Sequence, residues 1–118
     1  MGRLTTHVLD TAHGCPAAGM AVELWRLDDE GGRSLLKTVR TNADGRTSEP
    51  LLADGALVVG SYELVFDVGA YFAVGEVAQA TPPFLGRVPV RFGIAEPQAH
   101  YHVPLLTSPW AYSTYRGS

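Results

Sequence analysis

At 118 residues the chain has room for one compact domain and none for a second, and its 46% hydrophobic content suffices for a single core of moderate size. A formal net charge of -3 with no run of Lys or Arg leaves no electrostatic footprint for nucleic acid. No apolar run approaches the length of a membrane span.

The opening Met1-Gly2-Arg3-Leu4-Thr5-Thr6-His7 turns polar before the apolar stretch of a signal peptide can form. The closing Arg116-Gly117-Ser118 is not a peroxisomal address. The single cysteine, Cys15, has no intrachain partner. All three readings favour a reducing cytoplasm. Cys15 sits in the turn-like His13-Gly14-Cys15-Pro16 without an adjacent base to activate it, and reads as incidental. A domain this small has few deep clefts, so a site formed between subunits is expected from the start.

Short apolar runs punctuated by Gly, Pro, Asn and Asp predict an all-β chain. Residues 4–9 read as a first strand and 10–19 as a loop. Residues 20–27 alternate, Ala21, Glu23 and Trp25 against Val22, Leu24 and Arg26. Residues 28–32 form a turn in which Gly31-Gly32 supply positive φ. A third strand covers 35–41, the Asn42-Ala43-Asp44-Gly45 turn follows, and 46–48 add a short strand. Residues 62–66 are the next strand. Asp67 caps a short helix over 68–73, which Gly69 weakens. Thr81-Pro82-Pro83 breaks the chain before a strand at 88–92. The final strands are 100–106 and 112–115, joined by a hairpin turn at Ser108-Pro109. Seven to eight strands and one short helix make a two-sheet β-sandwich in one domain spanning residues 1–118. Its edge strands need protection or partners, and pairing about two-fold axes leads to a dimer and then a tetramer.

Strand alternation sorts the polar residues. Leu4, Thr6 and Val8 suit a core, which puts Thr5, His7 and Leu9 on the outer face. In the penultimate strand Tyr101, Val103 and Leu105 oppose His100, His102, Pro104 and Leu106. Imidazoles titrate near neutrality and both accept and donate protons in a hydrolysis. A lone strand histidine is ordinarily a satisfied surface residue, and spacing alone does not bring three together. His7, His100 and His102 would make a three-imidazole zinc centre, but no further cysteine or acidic cluster supports one. Arg46, just after its turn, is either solvated or a guanidinium that grips a planar anionic group through two hydrogen bonds. Tyr115-Arg116-Gly117-Ser118 would ordinarily be a frayed tail, yet residues 110–115 alternate like a strand and leave almost no tail to spare. Composition and periodicity do not name a reaction.

Several segments resemble the 5-hydroxyisourate hydrolase family, close relatives of the carrier transthyretin. They are Leu4-Thr5-Thr6-His7-Val8-Leu9-Asp10-Thr11, Thr41-Asn42-Ala43-Asp44-Gly45-Arg46, Tyr62-Glu63-Leu64-Val65-Phe66-Asp67-Val68-Gly69, Pro82-Pro83-Phe84-Leu85, and His100-Tyr101-His102-Val103-Pro104-Leu105-Leu106 running on to Tyr115-Arg116-Gly117-Ser118. The resemblance spans essentially the whole chain, and the terminal tetrapeptide is its most specific element. It implies a transthyretin-like Greek-key sandwich, assembled as a dimer of dimers with the active site in the channel between dimers. It implies catalytic roles for His7, Arg46, His102 and Ser118, and substrate contacts from these and from Tyr115, Arg116 and Gly117. The implied reaction opens a ring amide of 5-hydroxyisourate by His-assisted water attack, giving 2-oxo-4-hydroxy-4-carboxy-5-ureidoimidazoline in urate breakdown. No organic cofactor and no metal are implied. Two rivals stay in play: a transthyretin-type carrier of a small aromatic ligand, and a metal-dependent hydrolase using the three histidines. A carrier would prefer an apolar channel, which the histidines do not provide.

Overall fold

The computed structural model describes residues 1–75 and 79–117. The strands, in chain order, are β1 (Arg3–Thr5), β2 (Val8–Asp10), β3 (Cys15–Pro16), β4 (Ala21–Leu27), β5 (Arg33–Arg40), β6 (Gly60–Asp67), β7 (Arg87–Ile94), β8 (His100–His102), β9 (Leu105–Thr107) and β10 (Tyr112–Thr114). One helix, α1 (Val68–Ala73), lies between β6 and β7. The Asp67 carboxylate caps it by accepting from the Ala70 N–H, as the sequence predicts.

One layer is the antiparallel sheet β5-β4-β6-β7. The other contains β10-β9-β2-β3 and is continued by the β1-β8 pair. β1 and β2 are one interrupted strand, and so are β8 and β9. The parallel pairs Thr5↔His102 and Val8↔Leu105 share one register. Between them the Val103 N–H donates to the Thr5 carbonyl and the Leu105 N–H to the His7 carbonyl, each at 2.9 Å. Counted this way the sandwich has eight strands among the described residues. The break falls at Pro104, which has no N–H to offer the neighbouring terminal strand.

The outward and inward alternation follows the sequence expectation. Leu4, Thr6 and Val8 are buried, while Thr5, His7 and Leu9 are half-exposed on the outer face. Buried Thr6 is satisfied by donating to the Val103 carbonyl at 2.7 Å. The core is the inner face of both layers, with Leu24, Tyr62, Leu64 and Phe66 packed against Leu4, Val8, Tyr101 and Leu105. Phe72 seals one end from α1. Among the described residues no helix is long and apolar enough to cross a membrane.

Three expectations need correction. Residues 46–48 form no strand. The Arg46 N–H donates to Asn42 Oδ1 at 3.2 Å and its carbonyl accepts the Asn42 N–H at 2.7 Å, so turn bonds consume the groups a strand would pair. The 10–19 loop contains a short strand, β3, paired to β2 through Leu9↔Pro16 and Asp10↔Cys15. What folds it back is the Asp10 carboxylate, whose Oδ1 accepts the Ala12 and His13 N–H groups at 3.0 Å. Of the Gly31-Gly32 pair only Gly31 takes positive φ, at 87°.

Candidate active site

The outer edge of the β1–β2 strand is covered by an arch of chain anchored at two points. At one end the Val8 N–H donates to the Gly45 carbonyl at 2.8 Å. At the other the Leu4 N–H donates to the Leu52 carbonyl, and the Leu51 N–H to that of Leu4, both at 2.8 Å. Gly45 makes the first anchor possible. Its φ is +75°, and a Cβ there would lie 2.3 Å from the Val8 carbonyl oxygen. Between the anchors residues 46–50 bow outward and form the rim of a cleft of about 440 Å³. Arg3, Thr5, Arg46, Glu49, His100 and His102 are among its lining side chains.

Inside the cleft the Thr5 hydroxyl joins two imidazoles. Its Oγ1 lies 2.8 Å from His102 Nδ1 and 3.0 Å from His100 Nε2. Burial depresses the pKa of His102 below its ordinary 6.5, the Arg46 guanidinium depresses it further, and His100 and His7 add to this whenever they are protonated. His102 is therefore a neutral imidazole at neutral pH, in the state required of a base. His7 stands on the same outer face, two residues beyond Thr5. Its Nε2 is 2.8 Å from the Asp44 carbonyl, an acceptor only, so Nε2 carries the proton and the neutral ring keeps its lone pair at Nδ1. The arch that supplies Arg46 thus also fixes the tautomer of His7.

The end of the chain meets this cleft in an unexpected way. The antiparallel register of β10 on β9, Thr114↔Leu105, extends past Pro104 to a bridge at Gly117↔His102. The Gly117 N–H donates to the His102 carbonyl at 2.7 Å. The terminal segment is thus still paired at Gly117. Glycine serves there by leaving room for the imidazole, because a Cβ would fall 2.6 Å from His102 Cδ2. Arg116 lies on the other face, its guanidinium carbon 4.2 Å from the centre of the Tyr101 ring. Arg116 and Tyr115 line a second cavity of about 330 Å³ with Val90, Phe92 and Val103, between the edges of β7 and β10. Ser118 lies outside the described residues.

Of the residues singled out from the sequence, Arg46 and His102 share the cleft, His7 flanks it and Gly117 packs on His102. Tyr115 and Arg116 are placed apart from it within one protomer. Thr5, Arg3 and Glu49 are cleft residues that the sequence reading passed over. Thr5 was legible, since alternation already put it on the face of His7. The zinc-type arrangement of His7, His100 and His102 is not assembled. Among the described residues no group of three or more His, Cys, Asp or Glu is placed to hold a metal ion.

Fold and cleft together define a transthyretin-like β-sandwich carrying two linked imidazoles and a guanidinium on its outer sheet face. The chain belongs to the HIUase/Transthyretin family, whose family model matches residues 4–117. It is 56% identical to 5-hydroxyisourate hydrolase 2 of Rhizobium meliloti, over 99% of this chain and 97% of that one. Among solved structures it superposes on Klebsiella pneumoniae 5-hydroxyisourate hydrolase with a TM-score of 0.81 at 36% identity, covering 100% of both chains. It also superposes on an (S)-allantoin synthase with a TM-score of 0.93 at 50% identity; 99% of this chain is covered, which spans 44% of that chain.

Proposed function

We propose that this protein hydrolyses 5-hydroxyisourate, opening its six-membered ring at an amide bond to give 2-oxo-4-hydroxy-4-carboxy-5-ureidoimidazoline. The observation that carries this reading is the half-buried His102, bonded through Nδ1 to the Thr5 hydroxyl, sharing one cleft with the Arg46 guanidinium. The substrate is planar and rich in carbonyl and N–H groups. Arg46 matches such an edge with two parallel N–H donors and holds positive charge where an oxyanion develops, a contribution commonly worth a few kcal/mol. His102 takes a proton from the attacking water, a role worth roughly 10²–10⁴-fold. His7, with Nε2–H tied to Asp44, presents its Nδ1 lone pair as a second acceptor for substrate or water. Gly117 holds the terminal strand against His102, and the hydroxyl of the following residue, Ser118, is assigned as a donor to substrate. Tyr115 and Arg116, which lie apart from the cleft within one protomer, contribute to a site only in the assembled particle.

The reading includes a homotetramer, a dimer of dimers in which two protomers face each other across their outer sheets and complete the site. The openness of the cleft on one sheet face and the free edges at β7 and β10 support that assembly. It also includes a cytoplasmic location, supported by the unpaired, exposed Cys15. Neither an organic cofactor nor a metal takes part.

The test is direct. Protein added to freshly generated 5-hydroxyisourate should accelerate its ultraviolet decay well above the spontaneous rate, with or without a chelator. A decay unchanged by the protein rejects the activity, and one that the chelator slows to the spontaneous rate rejects metal-free catalysis.

A further inference from the structure

We infer that Thr5 is a positioning residue that relays protons between His102 in the cleft and His100 at the surface. The inference rests on the hydrolytic reading above for its role in turnover, but its geometry stands independently. The parallel register puts Thr5 directly beside His102, and His100 lies two residues away on the same face. The two rings are 6.4 Å apart between centroids and tilted by 56°, so they do not bond each other. The Thr5 hydroxyl makes the connection, at 2.8 and 3.0 Å.

A hydroxyl has one proton to give, which allows two ordered chains of bonds. In the first, His102 Nδ1–H donates to Thr5 Oγ1 and Thr5 O–H donates to His100 Nε2. His102 Nε2 is then an open lone pair, a base. In the second, His100 Nε2–H donates to Thr5 and Thr5 O–H donates to His102 Nδ1. His102 Nε2 then carries a proton, as an acid. Shifting two protons along the chain, with a third taken up at His102 Nε2 from outside it, converts the first form into the second and leaves His100 protonated on both ring nitrogens.

Both forms are needed in one turnover. As the water oxygen bonds to the amide carbon, the carbonyl π pair moves onto its oxygen and a water proton passes to His102 Nε2. His102 Nδ1 gives its proton to Thr5 Oγ1, whose own proton moves to His100 Nε2. The positive charge therefore settles on exposed His100. It leaves half-buried His102, where Arg46, Arg3 and His7 would oppose it and Glu49 is the carboxylate lining the cleft. In the second half the oxyanion pair re-forms the carbonyl and the C–N bond breaks with its pair on nitrogen. That nitrogen takes the proton from His102 Nε2, while the relay runs backward from His100 to restore Nδ1–H. The product acid ionises to solvent.

The experiment compares Thr5→Val, which keeps the β-branched shape without the hydroxyl, with Thr5→Ser, which keeps the hydroxyl. Nitrogen-15 NMR of the histidines in the full chain reads the tautomers without substrate. His102 should hold its proton at Nδ1 in the wild type and in Thr5→Ser, and at Nε2 in Thr5→Val. With substrate, Thr5→Val should lose about tenfold or more in kcat with KM changed less than about twofold, and Thr5→Ser should stay within about threefold of wild type. In a His100→Ala background, Thr5→Val should cost less than about twofold further, because the relay is already cut. Unchanged tautomers, an unchanged kcat in Thr5→Val, or fully additive losses would overturn the inference. Should Thr5→Val fail to fold, Thr5→Ala removes the same hydroxyl and provides the same tautomer test, and retention of Nδ1–H there overturns it. A wild type that leaves 5-hydroxyisourate untouched would instead reject the hydrolytic reading, with the tautomers still deciding whether the relay exists.

Discussion

His102 draws its chemistry from its neighbours. Its pKa is depressed by burial first and by the charges of Arg46, His100 and His7 after that. A base must be deprotonated to act, so the acid limb of kcat/KM should lie below pH 6.5, with activity full through neutrality. Replacing Arg46 with Gln removes one opposing charge and should move the His102 titration upward, as NMR of that variant would record. A titration that stays in place would mean that burial alone sets it. His7→Ala and His102→Ala should each lower turnover by roughly 10²-fold or more with unchanged melting temperature, and His100→Ala by less. Equal, small losses in all three variants would leave the assignment of roles without support. Asp10 gives a second pH dependence, of stability. Burial raises its pKa, but the His13 side chain, the Tyr71 hydroxyl and the His13 backbone, with the charge of His13, outweigh that and leave it below 3.8. A depressed carboxylate stabilises the fold above its unfolded pKa and loses that stabilisation as pH falls through the folded value. Melting temperature should therefore drop on acidification below about pH 4 in the wild type, and less steeply in Asp10→Asn, which starts lower at neutral pH by roughly 1–3 kcal/mol of stability. Parallel slopes in the two proteins would show that other groups govern the acid limb.

At the scale of elements, period-two alternation made most of the sandwich legible. It placed His7, His100 and His102 outside and Leu4, Val8, Tyr101 and Leu105 inside without any knowledge of pairing. It could not reveal that Thr5 and His102 are neighbours, because that contact joins residues 97 positions apart through a parallel register. Nor could it distinguish the arch of residues 42–52 from a strand, since its two anchors are bonds to Val8 and Leu4 made only in the folded chain. The terminal segment shows the same limit. Its strand character was visible, but the need for glycine at 117 arises from His102, across the sheet. Gly117→Ala should therefore displace the imidazole and lower kcat by roughly tenfold or more while the melting temperature moves little. Deleting Arg116 to Ser118 removes one ladder bond and a cation–π contact worth about 0.5–2 kcal/mol, against the loss of the site's terminal wall. Most activity should go, with folding and assembly nearly intact. Near-normal turnover in the truncated protein would make the terminus dispensable, and a collapse of the assembly would make its role structural.

The whole molecule presents two surfaces that a single copy leaves unused. One is the outer face carrying the cleft, open to solvent beside His102 and Arg46. The other is the side on which the edges of β7 and β10 lie, with the second cavity between them and the aromatic rings of Tyr112 and Tyr115 exposed at 45% and 60%. Free strand edges with exposed aromatics are what a sheet-extending dimer covers, and an isologous two-fold contact would pair each edge with its own copy. A shallow sheet face cannot exclude water around a small planar ligand, so a second dimer set against the first would turn two open clefts into a closed channel. The predicted particle is a tetramer with about four times the 12.6 kDa mass of one chain. Sedimentation velocity across a dilution series, with specific activity measured on the same samples, tests both halves of the argument. If a neighbour completes the site, activity should fall in step with the tetramer fraction. A monomer with full specific activity would show that one cleft suffices, and a dimer with full activity would confine the neighbour's contribution to the sheet edge.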